Sequence, residues 1–356
     1  MNIITVGYLH GRGGAERQII LLSNELAKRG HDITLCVLNE NNAQYPVNEK
    51  VVIRDLSQEE RTGILRILRR FLAFRKLVGD VRPDIIINYN LQSAYLCLGI
   101  SKRNRGKVIY SERGDPYDKE YSGMLGFVRD FTVKRMDGLV FQSEGARDFF
   151  PDAVRQKSVI IHNSVNVPQD KYPMPAIREK RIVSIGRLHP QKNQKLLIDA
   201  FARIAVEYPD YSLDIYGDGR LYDELSLQIK QTGLERRITI HSSRNNIWDC
   251  IYQASLFVLT SDYEGMPNAL MEAMALGLPC ISTDCRPGGA RTLVEDGVNG
   301  MIIPCRDVDA LANAMKGLLC NKELSDTLAN NAKKVFIDHT SDVIINQWID
   351  FLKRHA

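Results

Sequence analysis

The sequence lacks any long apolar segment, since no run approaches the roughly 18 residues that would indicate a membrane-spanning helix. Residues 1–6 are too short for the apolar core of a secretory signal and end at Gly7. The seven cysteines are odd in number and include no Cys-x-x-Cys pair, so neither a disulfide framework nor a zinc site is indicated. We therefore expect reduced thiols and a cytoplasmic protein without a bound metal.

The dinucleotide-binding fingerprint is also missing. The chain opens with a predicted strand, a glycine-rich loop at residues 7–14, a helix from Ala15 and a second strand, but the glycines do not follow Gly-x-Gly-x-x-Gly. This spacing argues against a nicotinamide oxidoreductase, the alternative for any chain with this opening. The adjacent Gly13 and Gly14 would still let a phosphate or a sugar approach the backbone closely. A plain tight turn is the other interpretation.

Acidic residues are absent from residues 61–78. The apolar residues of this segment recur on one face of a predicted helix, and its basic residues lie on the other. The basic residues that we place on this second face are Arg66, Arg69, Arg70 and Lys76. A basic amphipathic helix can lie on an anionic membrane. The alternative is a helix that packs on the core and leaves its basic face in solvent.

The 356 residues are enough for two domains of ordinary size. Short apolar strands alternate with helices along the chain, which is typical of parallel sheets with polar loops at the strand ends. The proline-containing segment 166–180 is predicted to link a domain at 1–165 to a second domain at 181–340, with a last helix in 341–356. Residues 1–176 hold 26 basic and 20 acidic residues, so the front half indicates an acidic partner such as a membrane surface or phosphates.

One strand–loop–helix–strand unit, residues 256–283, carries two notable carboxylates. Glu264 lies in the loop, and Glu272 lies inside a helix predicted to begin at Pro267 and to end at Gly277. Open α/β sheets bind ligands at the carboxyl ends of their strands, and free N–H groups at a helix start favour an anion. Two carboxylates around such a site suit a nucleotide sugar, which has both phosphates and hydroxyls. Two solvated glutamates on an ordinary helix are the alternative.

Two cations follow another predicted strand, at residues 182–186. Arg187 and Lys192 lie in the loop at its carboxyl end, where both could meet a diphosphate, arginine as a planar fork and lysine as a point charge. Surface charge without a ligand is the other interpretation.

These stretches together resemble the family 4 retaining glycosyltransferases of the GT-B fold. The matching stretches occur in the family's order and cover nearly the whole chain: Gly13–Glu16, Ser184–Leu188 with Lys192 and Asn193, Gly217–Gly219, Glu264–Asn268 through Glu272, and Gly297–Gly300. The resemblance implies an α/β chain with two facing Rossmann-like domains, parallel sheets and an interdomain cleft. It further implies an N-terminal acceptor domain, a C-terminal nucleotide-sugar domain and a last helix that crosses back to the first domain.

The resemblance also implies roles for single residues. Arg187 and Lys192 would bind the donor diphosphate, Glu272 the ribose hydroxyls, and Glu264 the donor sugar near the reacting carbon. We expect Arg187, Lys192 and Glu264 to be the catalytic group. Gly13 and Gly14 would approach the diphosphate from the first domain, and the donor site would be completed by Gly265, Met266, Pro267 and Asn268. Such enzymes need neither a metal nor another cofactor.

Arg113 marks a departure from the family. Members often carry a histidine after the Ser-Glu that ends a strand of the first domain, whereas Arg113 follows Ser111 and Glu112 here. Arginine stays protonated, so the base that takes the acceptor's proton must lie elsewhere, and one candidate is the leaving diphosphate itself. Arg113 would instead hold an acidic group of the acceptor, with an ion pair to Asp115 or Glu112 as the alternative. His10 is the second acceptor-side candidate.

The sequence thus predicts a retaining, metal-independent hexosyltransferase that uses a nucleotide sugar, with UDP the expected nucleotide. The expected acceptor is a hydroxyl of a lipid-linked or free saccharide in surface polysaccharide biosynthesis. We expect it at the inner face of the cell membrane, with an anionic membrane surface as a partner and no nucleic acid. The alternatives are a nucleotide-sugar epimerase of the same fold and a non-catalytic sugar-nucleotide-binding protein.

Overall fold

The computed structural model of the chain describes residues 1–9, 13–39, 45–57, 64–118 and 123–356. It divides into two compact units. The first unit comprises residues 1–164 together with 341–356, and the second comprises residues 165–340.

The described residues form thirteen strands. Those of the first unit are β1 Asn2–Gly7, β2 Asp32–Val37, β3 Val51–Asp55, β4 Ile85–Asn88, β5 Lys107–Ser111, β6 Gly138–Phe141 and β7 Ser158–Ile160. Those of the second unit are β8 Glu179–Ile185, β9 Ser212–Tyr216, β10 Ile238–His241, β11 Ala254–Leu259, β12 Cys280–Thr283 and β13 Met301–Ile303.

Fifteen α-helices, counted over the same residues, connect and flank these strands. The first six are α1 Gly14–Lys28, α2 Ile64–Val81, α3 Leu91–Leu96, α4 Met124–Val133, α5 Glu144–Asp148 and α6 Asp152–Arg155. The second unit holds α7 Gln194–Ile204, α8 Tyr222–Thr232, α9 Ile247–Ile251, α10 Asn268–Ala275, α11 Gly289–Leu293, α12 Val308–Cys320, α13 Lys322–Ala332 and α14 Lys334–Asp338. The last, α15 Ser341–Lys353, belongs to the first unit.

Each unit is built on one parallel sheet. The strand order is β3-β2-β1-β4-β5-β6-β7 in the first sheet and β10-β9-β8-β11-β12-β13 in the second. Successive strands are added first toward one edge of each sheet and then toward the other. This change occurs between β1 and β4 in the first sheet and between β8 and β11 in the second. Such a switch point opens a crevice at the carboxyl ends of the strands, where open α/β sheets bind ligands. The predicted α/β fold with two Rossmann-like domains is confirmed.

Strand burial explains why the strands read as continuous apolar runs. All four residues of β4, β6 and β12 are buried, because helices cover both faces of a parallel sheet. Strand β3 was not predicted. Of its five residues only Val51 is buried, since this strand lies at the sheet edge, and its sequence ends in the charged Arg54 and Asp55.

The last helix completes the core of the first unit. Ile344, Ile345 and Trp348 of α15 are buried in one cluster with residues of α1 and β1, and Arg29 of α1 pairs with Asp342 at 2.8 Å. The core of this unit is therefore built from two separate stretches of the chain.

Helix α10 begins one residue later than the sequence predicts. Pro267 is its N-cap, with an extended backbone, and Asn268 is the first helical residue. The predicted stop is confirmed: Leu276 is the C-cap of the helix, and the next residue, Gly277, has φ +72°, a left-handed conformation that favours glycine. Helix α2 starts at Ile64, and the predicted residues 61–63 lie outside the described part.

Within the described ranges, no helix has both the length and the apolar composition that crossing a bilayer requires.

Gly289 gives a direct test of the packing behind Glu264. A Cβ atom at Gly289 would lie 1.6 Å from the carbonyl oxygen of Gly265, so Gly289→Ala must displace this loop. We expect it to lower the free energy of unfolding by about 1–3 kcal/mol. A Cβ at Gly317, inside α12, would meet nothing within 4 Å, so the control Gly317→Ala is expected to be stabilising by about 0.5–1 kcal/mol. Urea unfolding of both variants checks the opposite signs; equal shifts would contradict the packing.

Candidate functional site

Two loops meet at the switch point of the second sheet. The loop after β8 runs from Gly186 to Asn193, and the loop after β11 runs from Thr260 to Pro267. Four hydrogen bonds tie them together, besides an ion pair: Asp262 N to Gln191 O at 2.8 Å, Gln191 Nε2 to Tyr263 O at 2.9 Å, Thr260 Oγ1 to Lys192 O at 2.9 Å, and Asn193 Nδ2 to Asp262 Oδ1 at 3.1 Å. The structure thus holds the two predicted halves of the donor site side by side.

Lys192 and Glu264 form an ion pair between these loops. Nζ of Lys192 donates to Oε1 of Glu264, and the same oxygen accepts from Oγ of Ser261 at 2.7 Å. Glu264 is only 7% exposed, so its charge depends on these partners. Its backbone N–H donates to the carbonyl of Arg286 at 2.8 Å, which fixes the loop on a third segment.

Glu272 is the second buried carboxylate of the site, at 6% exposure inside α10. Nε1 of Trp248, in α9, donates to Oε2 of Glu272 at 2.9 Å. Tyr172 packs its ring edge on Trp248, with centroids 6.0 Å apart, and its hydroxyl donates to Asp249 at 2.8 Å. Trp248 therefore fixes one oxygen of the Glu272 carboxylate, and Tyr172 in turn holds Trp248 in position.

Arg187 is exposed, and its Nη2 donates to Oε1 of Gln191 at 3.3 Å. The neighbouring His189 reports the local charge, because burial and the charges of Arg187 and Arg220 lower the pKa of its imidazole. Its Nδ1 lies 3.3 Å from the backbone nitrogen of Gln191. This loop is therefore a region of positive potential that favours an anion.

The stretch Gly265–Asn268 leads from Glu264 into α10. Gly265 and Met266 are buried, and the first N–H groups of α10 have no partner within the helix, as at every helix start. Glu264, Lys192 and the beginning of this helix thus share one edge of the second sheet. No group of three His, Cys, Asp or Glu side chains suited to a metal ion occurs in the described ranges of the chain.

Gly13 and Gly14 lie in the first unit, at the start of α1. Gly13 is the N-cap of the helix, and its backbone N–H donates to the Glu16 carboxylate at 3.2 Å. A Cβ at Gly13 would lie 3.2 Å from that carboxyl group, so the position is crowded by Glu16. His10, the other candidate in this loop, lies outside the described residues.

Arg113 is fixed by aromatic rings. Its guanidinium lies 4.4 Å from the ring centroid of Tyr89 and 5.8 Å from that of Trp348 in α15, and Nη1 donates to Asn163 at 2.8 Å. Burial lowers the pKa of this arginine. Oε1 of Glu112 accepts the backbone N–H of Arg113 at 3.0 Å, and the negative charge of Glu112 acts against the effect of burial on the pKa of the guanidinium.

Sequence reasoning missed the groups that hold the two glutamates. Ser261 could have been found, since it lies three residues before Glu264 in the same loop. Trp248 could not, because it is 24 residues from Glu272 and no spacing connects the two.

Two family models match the chain. "Glycosyl transferases group 1" matches residues 174–335, and "Glycosyltransferase Family 4" matches residues 12–169. Among similar curated proteins, the amylovoran biosynthesis glycosyltransferase AmsD of Erwinia amylovora is 26% identical over 98% of this chain and 99% of its own. An N-acetylgalactosaminyltransferase of Campylobacter jejuni, whose name gives a diphospho-undecaprenol saccharide as acceptor, is 27% identical over 92% of each chain.

Solved structures agree in fold. HepE from Anabaena, in complex with UDP and glucose, superposes with a TM-score of 0.85 over the full length of both chains at 21% identity. A sucrose-phosphate synthase from Thermosynechococcus elongatus reaches a TM-score of 0.84 over 99% of this chain and 98% of its own at 17% identity. With both halves matched by the family models and this agreement in architecture, the chain belongs to the family 4 glycosyltransferases and has the GT-B fold.

Proposed function

We propose that the chain is a retaining hexosyltransferase that moves a sugar from UDP to a hydroxyl of a lipid-linked saccharide in bacterial surface polysaccharide biosynthesis. The observation that carries the proposal is the Lys192–Glu264 ion pair at the switch point, beside Arg187 and the start of α10. The Campylobacter transferase supports the class of acceptor, AmsD supports a role in bacterial biosynthesis of this kind, and HepE supports UDP as the nucleotide.

The donor diphosphate is assigned to Arg187, Lys192 and the N-terminal N–H groups of α10. Their charges and dipoles oppose the negative charge that grows on the leaving diphosphate, so the reaction needs no metal. Glu264 contacts the donor sugar near the reacting carbon and holds Lys192 in place. The proton of the acceptor hydroxyl passes to the departing diphosphate oxygen on the same face, which gives retention without a covalent intermediate.

Gly13 and Gly14, in the first unit, are assigned to contact the donor diphosphate. The last helix, α15, belongs to the same unit. We place the reaction at the inner face of the cell membrane, where nucleotide sugars are available. The decisive experiment offers UDP-sugars with and without a diphosphate-linked lipid saccharide. Release of UDP only when the acceptor is present supports the proposal. Donor conversion without acceptor would indicate the epimerase, and binding without any turnover would indicate a sugar-nucleotide-binding protein.

A prediction on turnover follows for the diphosphate clamp. We expect Arg187→Ala to lower kcat by about 10²–10³, because a preorganised donor to a developing charge is typically worth about 2.7–4 kcal/mol. Lys192→Ala should lose at least as much, since it also leaves Glu264 without its cation. Arg203→Ala removes an exposed arginine of α7, paired with Asp309, and serves as the control. Steady-state kinetics measures all three; a normal kcat in Arg187→Ala would contradict the assignment.

A second prediction concerns the ribose. Glu272→Gln and Trp248→Phe should each weaken UDP binding about tenfold or more, because the hydrogen bond from a hydroxyl to an oriented carboxylate is lost or loosened. In both variants the affinity for 2′,3′-dideoxy-UDP should fall less than the affinity for UDP, because this nucleotide has no 2′- or 3′-hydroxyl to donate to Glu272. Calorimetry on both nucleotides tests this.

Equal weakening for both nucleotides would mean that the variants disturb the fold of the site rather than the ribose contact. Unchanged UDP affinity in Glu272→Gln would remove Glu272 from the ribose site.

A third prediction concerns the acceptor. Nε of Arg113 is buried and has no hydrogen-bond partner among the described residues, which leaves it available to an anionic group. We expect Arg113→Gln to raise KM for a diphosphate-bearing acceptor strongly and for a neutral glycoside much less, with donor KM unchanged. Asn163→Ala is the control, since it removes a contact of the guanidinium but keeps its charge. Equal effects on both acceptors would show that Arg113 only braces the fold.

A further inference from the structure

Large apolar side chains are exposed on two helices of the first unit. Over the described part of the chain, 16 large apolar residues are exposed, and seven of them belong to α2 and α4. We call these seven the two-helix surface: Ile67, Leu68, Leu72, Met124, Leu125, Phe127 and Phe131. Seven of these 16 residues fall on two helices of 18 and 10 residues, a concentration that scattered surface residues would not give.

Helix α2 divides into two halves with different environments. Phe74, Leu77 and Val78 in its second half are buried in the core, as a packing helix requires. Ile67, Leu68 and Leu72 in its first half are about half exposed. The core therefore uses only part of the apolar face that the sequence displays, and the remainder faces outward.

Helix α4 has its polarity reversed. Gly126, Arg129 and Thr132 are buried, whereas Met124 is 76% exposed and Phe127 is 67% exposed. The buried Arg129 is satisfied: its Nη1 donates to the carbonyl of Pro116 at 2.6 Å and its guanidinium lies 4.4 Å from the ring centroid of Phe149. A helix that turns an arginine inward and phenylalanines outward indicates a low-polarity partner on its outer side.

The two helices lie on the same side of the first sheet. Phe74 of α2, Ala94 of α3 and Val133 of α4 join one buried cluster, so α3 lies in the same layer. In a parallel sheet each connecting helix starts near the carboxyl edge, and all seven exposed residues lie in the first nine residues of α2 or the first eight of α4. The surface therefore flanks the sheet edge that carries Arg113.

Positive charge surrounds the surface. Arg66, Arg69, Arg75 and Lys76 of α2 are exposed, and none has a carboxylate partner among the described residues. Beyond α4, Arg135 is exposed, with its guanidinium 3.4 Å from the ring centroid of Phe131. Arg70 does not share this orientation: it is half-buried and lies within electrostatic reach of Tyr95. The predicted set of basic residues is corrected accordingly, with Arg75 in place of Arg70.

We propose that the two-helix surface docks the first unit on an anionic lipid bilayer. The aromatic and aliphatic side chains of α4 enter the boundary between headgroups and acyl chains, and the arginines of α2 bind lipid phosphates. A protein partner would satisfy the apolar residues but leaves the unpaired arginines around them unexplained. Docking stands independently of the reaction; only its benefit, access to a lipid-linked acceptor, rests on the proposed function.

Vesicle sedimentation tests the docking with the full chain. The wild-type protein should bind mixed phosphatidylcholine–phosphatidylglycerol vesicles, bind pure phosphatidylcholine far less, and dissociate as salt rises. Phe127→Ser with Phe131→Ser should weaken binding tenfold or more. Arg66→Gln with Arg69→Gln should lower the affinity for the anionic vesicles about fivefold per residue and so reduce the preference for the anionic lipid.

The matched control is Ile177→Ser with Val206→Ser, which removes two apolar residues of high exposure away from the surface. It should bind vesicles as the wild type does. A wild-type protein that ignores anionic vesicles, or an α4 variant that binds them normally, would overturn the proposal. So would concentration-dependent self-association that the α4 variant abolishes, since the surface would then be an interface between copies.

One further readout separates docking from catalysis. Transfer to a short-chain acceptor free in solution should be unchanged in the α4 variant, because none of its altered residues belongs to the assigned site. If the wild type shows no transfer to this acceptor, the result counts against the proposed function and does not bear on docking. A Phe127→Trp variant should show fluorescence quenched by brominated lipids in anionic vesicles; absence of quenching would exclude insertion of α4.

Discussion

The ion pair between Lys192 and Glu264 is the constraint on which the second unit's site depends. It joins the loops that follow β8 and β11, the neighbouring parallel strands between which the switch point of the second sheet lies. Taking a lysine and a carboxylate out of water is unfavourable for each alone, so neither loop can leave the other without exposing an uncompensated charge. An anion that enters here shares the lysine with Glu264, and this couples the ligand directly to the geometry of both loops.

The second carboxylate is stabilised in a different way. The carboxylate of Glu272 accepts a hydrogen bond from the neutral indole N–H of Trp248, and this hydrogen bond orients it. A ligand hydroxyl that donates to this oriented carboxylate would meet a strong acceptor. The two glutamates, similar in burial and separated by eight residues, are thus suited to different partners: one to a cation shared with an anion, the other to hydroxyls.

Most of the architecture could be predicted from the sequence because parallel sheets impose strong local patterns. Apolar strands such as Cys280–Thr283 and the stop at Gly277 were placed correctly, since burial on both faces and a left-handed glycine leave clear signals. The edge strand β3 was missed because an edge strand buries fewer of its residues, so its sequence contains no continuous apolar run. The start of α10 was placed one residue early, since proline suits the N-cap as well as the first turn.

The site was only partly accessible from the sequence, for a physical reason. Polar residues that follow apolar runs mark the loops at strand ends, and this pattern made Arg187, Lys192 and Glu264 candidates. Contacts between distant segments have no such signature, so Trp248 at Glu272 and the aromatic rings around Arg113 became visible only in three dimensions. The reversed polarity of α4 was overlooked likewise, because periodicity shows that a helix has two faces but not which of them turns inward.

The position of α15 has a consequence for biosynthesis. Domains generally fold during synthesis in order from the N-terminus. Here Trp348 and its neighbours supply part of the core beneath β1 and β4, whereas every strand of the second unit has been made before residue 341. The ribosome therefore delivers all of the second unit before it delivers the last piece of the first. The first unit is therefore the last to complete its core. Until α15 has been made, Tyr89 and Arg113 lack their contact with the ring of Trp348.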